Sequence, residues 1–151
     1  MKARYILVLL LLPLLTQCSA RRVAVADDAM LSPAKEQTWQ LVEQRGKEVA
    51  VRTAKIILMF HPETGTLRGQ VACNRYTADY VLQPLNVDAA GTHYALTVAN
   101  VSGGDVQCPE GGMAAQERYL ALLGQADACL LTPYTLTLFR CDKEILKYEL
   151  Q

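Results

Sequence analysis

The chain has 151 residues, and its 15 Lys plus Arg balance its 15 Asp plus Glu to a formal net charge of zero at pH 7. That neutrality argues against nucleic acid as a partner, because a broad electrostatic grip needs a basic surface. Apolar residues make up 51% of the sequence, so a packed core is available, while only 2 His and 5 Cys argue against a metal centre or a cofactor.

The first segment along the chain has the pattern of an export signal. Residues 1–15 read MKARYILVLLLLPLL, in which Lys2 and Arg4 precede an apolar run from Tyr5 to Leu15. A helix needs roughly twenty residues to cross a hydrocarbon core of about 30 Å, so this run is too short for a permanent span. The pattern is typical of a secretory signal peptide. We predict a signal peptide at residues 1–17 and an exported protein.

The run LTQCS that ends this segment resembles a bacterial lipobox, in which the cysteine is acylated and becomes the mature N-terminus. We predict that Cys18 is lipidated and that Ser19 directs the protein to the outer membrane, facing the periplasm. Several acyl chains give a stable anchor, because each buried CH₂ adds about 0.8 kcal/mol. Gln17 stands where a small residue is usual. Ordinary cleavage before Arg21 or Asp27 is the alternative, and it gives a soluble periplasmic or secreted protein.

A tether and a folded domain follow. Residues 18–37 comprise the lipidated N-terminus and an Ala-rich tether, able to stretch about 60 Å at roughly 3.3 Å per residue. Residues 38–151 form the domain, in which alternating apolar and polar side chains predict strands separated by turn residues. The predicted strands are Thr38–Val42, Val49–Arg52, Ile56–Phe60, Leu67–Val71, Tyr94–Val101, Thr135–Leu138 and Leu146–Leu150.

One segment, Gly112 to Gln125, breaks this rhythm and predicts a helix. It is rich in helix formers, and Met113, Leu120 and Leu123 fall at helical spacing. Glu117 lies beside Met113 and Leu120 on the helical wheel. We therefore expect it to be partly buried, capping backbone amides or pairing with an Arg rather than acting as a catalytic acid. The fold class is α+β, with an antiparallel, strongly curled sheet packed on one inserted helix.

Four cysteines remain after Cys18 is lipidated or removed with the signal. In an oxidising compartment four thiols predict two disulfides, and three connectivities are open. A zinc site is the weaker alternative, because no CxxC pair is present. The four are Cys73, Cys108, Cys129 and Cys141.

Residues 69–80, GQVACNRYTADY, resemble the G-x-x-x-C-N-R-[FY]-x-G-x-Y signature of META/HslJ-like domains, with Ala78 in place of the second glycine. Further landmarks follow in the order of that family, and they extend the resemblance over residues 38–151. They are the opening strand Trp39-Gln40-Leu41, the pair Cys108-Pro109, the helix segment Glu117-Arg118-Tyr119-Leu120 and the late strand Leu136-Thr137-Leu138. The ordered combination of these motifs is specific for the family, whereas each motif alone is weak evidence.

The resemblance implies a disulfide between Cys73 and Cys108, which leaves Cys129 and Cys141 for the second. If Thr132 to Tyr134 is a tight turn, Cys141 lies four residues beyond the residue that faces Cys129. Cα atoms more than about 7 Å apart cannot be bridged. A second disulfide therefore requires a bulge, a looser turn or another connectivity.

Four residues of the signature form the candidate interaction surface: Asn74, Arg75, Tyr76 and Tyr80. In a structural interpretation, Asn74 shapes a turn after Cys73 and the two tyrosines fill the interface between sheet and helix. In a functional interpretation, Arg75 offers a planar donor fork to a carboxylate or a phosphate. We favour the structural interpretation, because aromatic and turn residues at such spacing usually serve packing.

The family resemblance implies a bacterial envelope protein, often a lipoprotein, that is associated with stress or drug tolerance and has no established catalytic activity. At the level of the fold the chain also resembles the small lipoprotein pilots of type III secretion secretins, which implies a cracked half-barrel. We expect a non-catalytic protein that is held to the membrane by its N-terminal lipid and binds an envelope protein or lipid.

Two other hypotheses stay open. The alternative to the envelope lipoprotein is a secreted or periplasmic inhibitor of a hydrolase such as lysozyme, which would insert the loop at His61–Gly65 or at Ser102–Asp105 into an active site. An enzyme would have to use Cys73 or Glu117, and no recognisable catalytic context surrounds either residue.

Overall fold

The computed structural model describes residues 37–49, 55–109 and 111–151. The predictions for residues 1–17, for Cys18 and for the tether up to residue 36 lie outside the described residues, as does most of the predicted strand Val49–Arg52. Within the described residues there are nine strands and one helix. In chain order they are β1 Thr38–Gln44, β2 Lys47–Glu48, β3 Ile57–His61, β4 Thr66–Val71, β5 Asn74–Asp88, β6 Gly91–Gly103, α1 Gly112–Leu123, β7 Ala128–Leu131, β8 Thr135–Arg140 and β9 Lys143–Leu150.

Eight of these strands form a closed antiparallel barrel. Each strand from β3 to β8 pairs with the strand that follows it in the chain, and β1 pairs with both β3 and β9. Trp39 of β1 lies opposite Leu150 of β9, and Leu41 lies opposite Tyr148. The antiparallel α+β class is confirmed, but the cracked half-barrel is wrong, because pairing of the first strand with the last closes the ring. Closure removes the open sheet edges of a half-barrel.

The alternation of side chains along the strands builds the core. In β4, Leu67 and Val71 are buried, whereas Arg68 and Gln70 are exposed. Because successive side chains in a strand point to opposite faces, one set fills the barrel and the other faces outward. Each large apolar side chain that is fully buried contributes about 1.5–3 kcal/mol. The largest of them are Trp39, Tyr119, Tyr148, Phe60, Leu41, Leu58, Leu67, Leu123, Leu136, Leu138, Leu146 and Val71.

Helix α1 begins at Gly112 as predicted and ends at Leu123, two residues before the predicted end. It packs against β4, β6 and β9, at the end of the barrel where β5 begins and β6 ends. Glu117 is exposed, so the expectation that it is partly buried is wrong. The buried polar residue of the helix is its neighbour Gln116. No helix among the described residues is long and apolar enough to cross a membrane.

Candidate functional site

The four signature residues of the candidate interaction surface all lie at the start of β5 or along it, but they do not share one surface. Asn74 and Tyr76 point inward and are 3% and 4% exposed. Arg75 points outward and is exposed. Tyr80 is half-buried, and its ring packs edge-on against Phe60 with the ring centroids 5.0 Å apart. Only Arg75 is therefore placed to meet a ligand from solvent.

Asn74 links three parts of the chain through its side-chain amide. Its Nδ2 donates to the Val106 carbonyl oxygen (2.9 Å) and to Gln116 Oε1 (2.8 Å), and Val106 N donates to Asn74 Oδ1 (3.2 Å). Gln116 Nε2 in turn donates to the Gly104 carbonyl oxygen (2.8 Å). The start of β5, the loop after β6 and helix α1 are thereby held together. This is a structural role for Asn74, and it differs from the predicted turn because Asn74 already belongs to the strand.

Gln116 was not predicted as part of this network. It precedes Tyr119 and Leu123 by three and seven residues in the helix, which places all three on one helical face. That spacing was the available signal. The sequence did not indicate that Gln116 pairs with Asn74, because this contact joins residues 42 positions apart.

A disulfide joins Cys73 and Cys108 next to this network, as the resemblance implied. The two Cα atoms are 5.6 Å apart, and Cys73 N donates to Cys108 Sγ (3.1 Å). The disulfide connects the turn between β4 and β5 to the loop after β6. A cross-link between residues 35 positions apart restricts the unfolded chain and stabilises the fold by about 2–4 kcal/mol.

The predicted second disulfide, between Cys129 and Cys141, is wrong, because both thiols are free. Cys129 lies on β7 opposite Leu138, while Cys141 lies three residues beyond Leu138 in the turn between β8 and β9. Three residues of strand separate the two sites by about 10 Å, which is too far for a disulfide. Burial raises the pKa of the Cys129 thiol to about 12, so it stays protonated at neutral pH.

Three buried tyrosines form a chain of hydrogen bonds through the core, which we call the tyrosine chain: Tyr76, Tyr119 and Tyr148. Tyr76 OH donates to the Ile57 carbonyl oxygen (2.9 Å), and its oxygen lies 2.7 Å from Tyr119 OH. Tyr119 OH lies 3.0 Å from Tyr148 OH. Because each hydroxyl has one proton, the donation runs from Tyr148 to Tyr119, then to Tyr76 and finally to the carbonyl. Burial is the largest cause that raises the pKa of all three phenols well above the usual value.

Gly69, the first residue of the signature, makes room for this chain. A Cβ atom at Gly69 would lie 1.9 Å from the Ile57 carbonyl oxygen and 2.6 Å from Tyr76 OH. Neither contact is sterically allowed, so only glycine lets the Tyr76 side chain cross β4 to reach β3. The glycine and the tyrosine of the signature thus serve one packing arrangement.

On the outside of the barrel, β3 to β6 carry a groove of about 670 Å³, which we call the outer-face groove. Ile57 of β3 lies opposite Gln70 of β4, and Gln70 lies opposite Arg75 of β5. Two residues away along these strands, a second row crosses β3 to β6 and consists of Met59, Arg68, Thr77 and Ser102. The outer-face groove is lined by Ile57, Met59, His61, Arg68, Gln70, Arg75, Thr77 and Ser102, together with Gly69, Tyr76, Gly103 and Gly104.

Two arginines dominate the charge of the outer-face groove. Arg68 and Arg75 occupy diagonal positions on neighbouring strands, which places the two residues about 7–8 Å apart, with their Cβ atoms somewhat closer. Neither guanidinium group has a hydrogen bond or a salt bridge within the described residues. The salt bridges in that part of the chain lie elsewhere, between Lys147 and Glu43 and between His93 and Asp88, each at 3.0 Å. Both guanidinium groups are therefore available to an anion.

Arg68 was not predicted as a site residue. The alternation in the predicted strand Leu67–Val71 already placed Arg68 and Leu67 on opposite faces of the sheet. Its position beside Arg75 depends on the register between β4 and β5, in which Gln70 faces Arg75. Among the described residues, no group of three or more His, Cys, Asp or Glu side chains is close enough to hold a metal ion.

The fold and the ordered signature define a small antiparallel barrel domain with one helix at its end. The family model of the META domain matches residues 32–151, and the chain belongs to the META domain family. The match includes the predicted domain at 38–151 and begins six residues before it.

Solved structures show the same fold. An NMR structure of a protein from Burkholderia xenovorans has a TM-score of 0.57 and 22% sequence identity, covering 88% of this chain and 97% of that chain. A second NMR structure has a TM-score of 0.54 and 20% identity, covering 80% of this chain and 96% of that chain. No curated protein matches the sequence significantly.

Proposed function

We propose that this META-domain protein is a non-catalytic lipoprotein of the bacterial envelope that binds an envelope component through the outer-face groove. Its N-terminal lipid at Cys18 anchors it in the outer membrane, facing the periplasm. The observation that carries the binding proposal is the pair Arg68 and Arg75, whose exposed guanidinium groups have no partner among the described residues and lie beside the half-buried side chains of Ile57 and Met59.

Two features support an envelope location. The signal pattern of residues 1–17 followed by Cys18 predicts export and acylation. The disulfide between Cys73 and Cys108 is of the kind that persists in oxidising compartments such as the periplasm. A contribution to stress or drug tolerance follows from the family resemblance and stays a prediction.

The chemistry of the candidate nucleophiles supports a non-catalytic protein. Cys73 is consumed in a disulfide, and the Cys129 thiol is buried with its pKa raised to about 12, whereas a reactive cysteine needs a lowered pKa. Glu117 is exposed on the outer surface of α1 and lies outside the outer-face groove.

The hydrolase-inhibitor hypothesis is retained because of one observation on the predicted loop at Ser102–Asp105. Ser102 and Gly103 end β6, and the loop itself begins at Gly104, whose N–H donates to the Arg75 carbonyl oxygen (2.9 Å); it leads to Val106, which is 62% exposed. A rigid loop with an exposed apolar side chain loses little entropy on insertion into an active site. Inhibition of lysozyme that is lost in Val106→Asp supports this hypothesis, and inertness across the lysozyme classes contradicts it.

Site-specific photocrosslinking in the native envelope tests the groove as the binding site. A photoreactive amino acid replaces Thr77 in the groove of the full-length protein, and the control carries it at Glu149, which is exposed on β9. We expect an adduct from position 77 that is absent from position 149 and is lost when Arg75→Glu is added. Equal adducts at both positions, or an adduct that Arg75→Glu leaves unchanged, contradict the proposal.

A further inference from the structure

We propose that the ligand of the outer-face groove is a membrane lipid with a phosphate headgroup, which Arg68 and Arg75 hold together while an acyl chain lies over Ile57 and Met59. This inference rests on the proposed function and names the chemical class of the ligand. It combines three observations on the groove: its charge, its hydrogen-bonding groups and its apolar side chains.

The charge of the outer-face groove is positive without compensation. No Asp or Glu lines it within the described residues. The nearest outward carboxylate along β5 is Asp79, two residues beyond Thr77, and its Oδ2 accepts a hydrogen bond from Asn100 Nδ2 (2.6 Å). An anion in the groove therefore meets two guanidinium groups and, among the described residues that line it, no competing carboxylate.

The hydrogen-bonding groups favour phosphate over a carboxylate. Arg68 and Arg75 each present a planar fork of N–H donors, and the separation of about 7–8 Å between the two residues lets both long side chains converge on one headgroup. Gln70 faces Arg75, and Thr77 faces both Arg68 and Ser102 across the strands. The two hydroxyl groups add neutral donors beside the guanidinium groups, and Gln70 adds the second hydrogen of an amide that already donates to the Ala72 carbonyl oxygen (3.3 Å). A phosphate offers more acceptor oxygens to this set than the two of a carboxylate.

The apolar side chains extend the site beyond a headgroup. Ile57 and Met59 lie two residues apart on the outer face of β3 and are half-buried, so each presents apolar surface next to the arginines. A methionine adapts its shape to an irregular apolar partner. A groove of about 670 Å³ is within the usual range for ligands of moderate size and leaves space beside a phosphate for an acyl chain.

Calorimetric titration tests the ligand class on the full mature protein held in micelles of dodecyl maltoside, a detergent that carries no phosphate. The probes are dihexanoyl phosphatidic acid, hexanoate and inorganic phosphate. The variants are Arg68→Gln, Arg75→Gln and Met59→Gln, with Arg118→Gln as the matched control. Arg118 is exposed on α1 outside the groove, so its loss changes the net charge equally. Exposed substitutions change stability by about 0.5 kcal/mol or less, so all three arginine variants should fold.

We expect dihexanoyl phosphatidic acid to bind saturably and more tightly than hexanoate or inorganic phosphate. Each groove arginine variant should weaken this binding about tenfold or more, since a hydrogen bond to a charged group is lost, while Arg118→Gln leaves it unchanged. Met59→Gln should weaken the binding of dihexanoyl phosphatidic acid and leave the binding of inorganic phosphate unchanged. Absence of saturable binding, equal weakening by Arg118→Gln, or equal affinity for lipid and inorganic phosphate overturns the inference.

The outcome separates this inference from the proposed function. If the crosslink from position 77 still depends on Arg75 while dihexanoyl phosphatidic acid does not bind, the groove binds a component of another class and only the inference is wrong. If the crosslink and the lipid binding both fail, the groove is not the binding site and the proposed function fails as well.

Discussion

Removing the hydroxyl groups of the tyrosine chain one at a time should destabilise the protein by unequal amounts. The chain has a direction, because Tyr76 donates its only proton to the Ile57 carbonyl oxygen. Tyr148 is consequently the first donor, Tyr119 the middle member and Tyr76 the last. Tyr148→Phe removes a donor and leaves every remaining proton with an acceptor. Tyr119→Phe leaves the Tyr148 proton without one, and Tyr76→Phe does the same to Tyr119.

The magnitudes follow from the cost of an unpaired buried donor. Tyr148→Phe loses one neutral hydrogen bond, which is worth about 1 kcal/mol. Tyr119→Phe loses two hydrogen bonds and buries an unpaired hydroxyl, so we expect a loss of about 3 kcal/mol. Tyr76→Phe should cost about as much, because it loses two hydrogen bonds and leaves the Tyr119 proton unpaired. All three changes keep the aromatic ring, so none creates a large cavity.

Urea unfolding of the disulfide-bonded protein measures these differences. The fluorescence of Trp39, the single tryptophan and 1% exposed, reports on the core. The midpoints should rank wild type above Tyr148→Phe, and Tyr148→Phe above the other two variants, with an unchanged dependence on urea concentration. A loss in Tyr148→Phe equal to that in Tyr119→Phe would refute the assigned direction of the chain.

Three further outcomes are expected. Folding raises the pKa of the three phenols in the tyrosine chain, so the folded state keeps protons that the unfolded state loses above about pH 10. Above that pH the free energy of unfolding should therefore fall by up to about 4 kcal/mol per pH unit. Tyrosinate absorbance that rises fully before the circular dichroism signal is lost would contradict this. Iodoacetamide should label Cys141 in the native protein and Cys129 only in denaturant, and rapid native labelling of Cys129 would contradict its burial. Asn74→Ala should cost about 3 kcal/mol in urea unfolding, against less than about 0.5 for exposed Arg75→Ala, and equal costs would contradict the Asn74–Gln116 network.

The helix and several strands could be predicted from the sequence because their signals are local. Helix formers with apolar residues at helical spacing placed α1, and alternation with Gly and Pro turns placed β3 and β4. The strand β5 was missed although it is the longest. In its first half, Asn74, Tyr76 and Ala78 point inward and Arg75 points outward. The strand was missed because the inward Asn74 is polar, which breaks the expected alternation of apolar and polar residues. The short strand β7 was missed as well.

Closure of the barrel and the composition of the outer-face groove depend on pairings that leave no local signal. Strands β1 and β9 meet although Trp39 and Leu150 lie at opposite ends of the domain sequence. Arg68 joins Arg75 only because the register of β4 on β5 sets Gln70 opposite Arg75. A shift of one residue in that register would turn one of the arginines toward the core. The sequence therefore indicated Arg75 as a candidate, but neither Arg68 nor the arrangement of the two side chains.

The intact mass of the protein from its native envelope, alkylated in denaturant without reduction, tests most directly whether it is an anchored envelope lipoprotein. We predict a chain that starts at Cys18, carries added acyl groups and takes up two alkyl groups, at Cys129 and Cys141. An unacylated mass that starts at Arg21 or Asp27 would contradict the anchor and make the protein a soluble factor. In that case the hydrolase-inhibitor hypothesis would become the leading one.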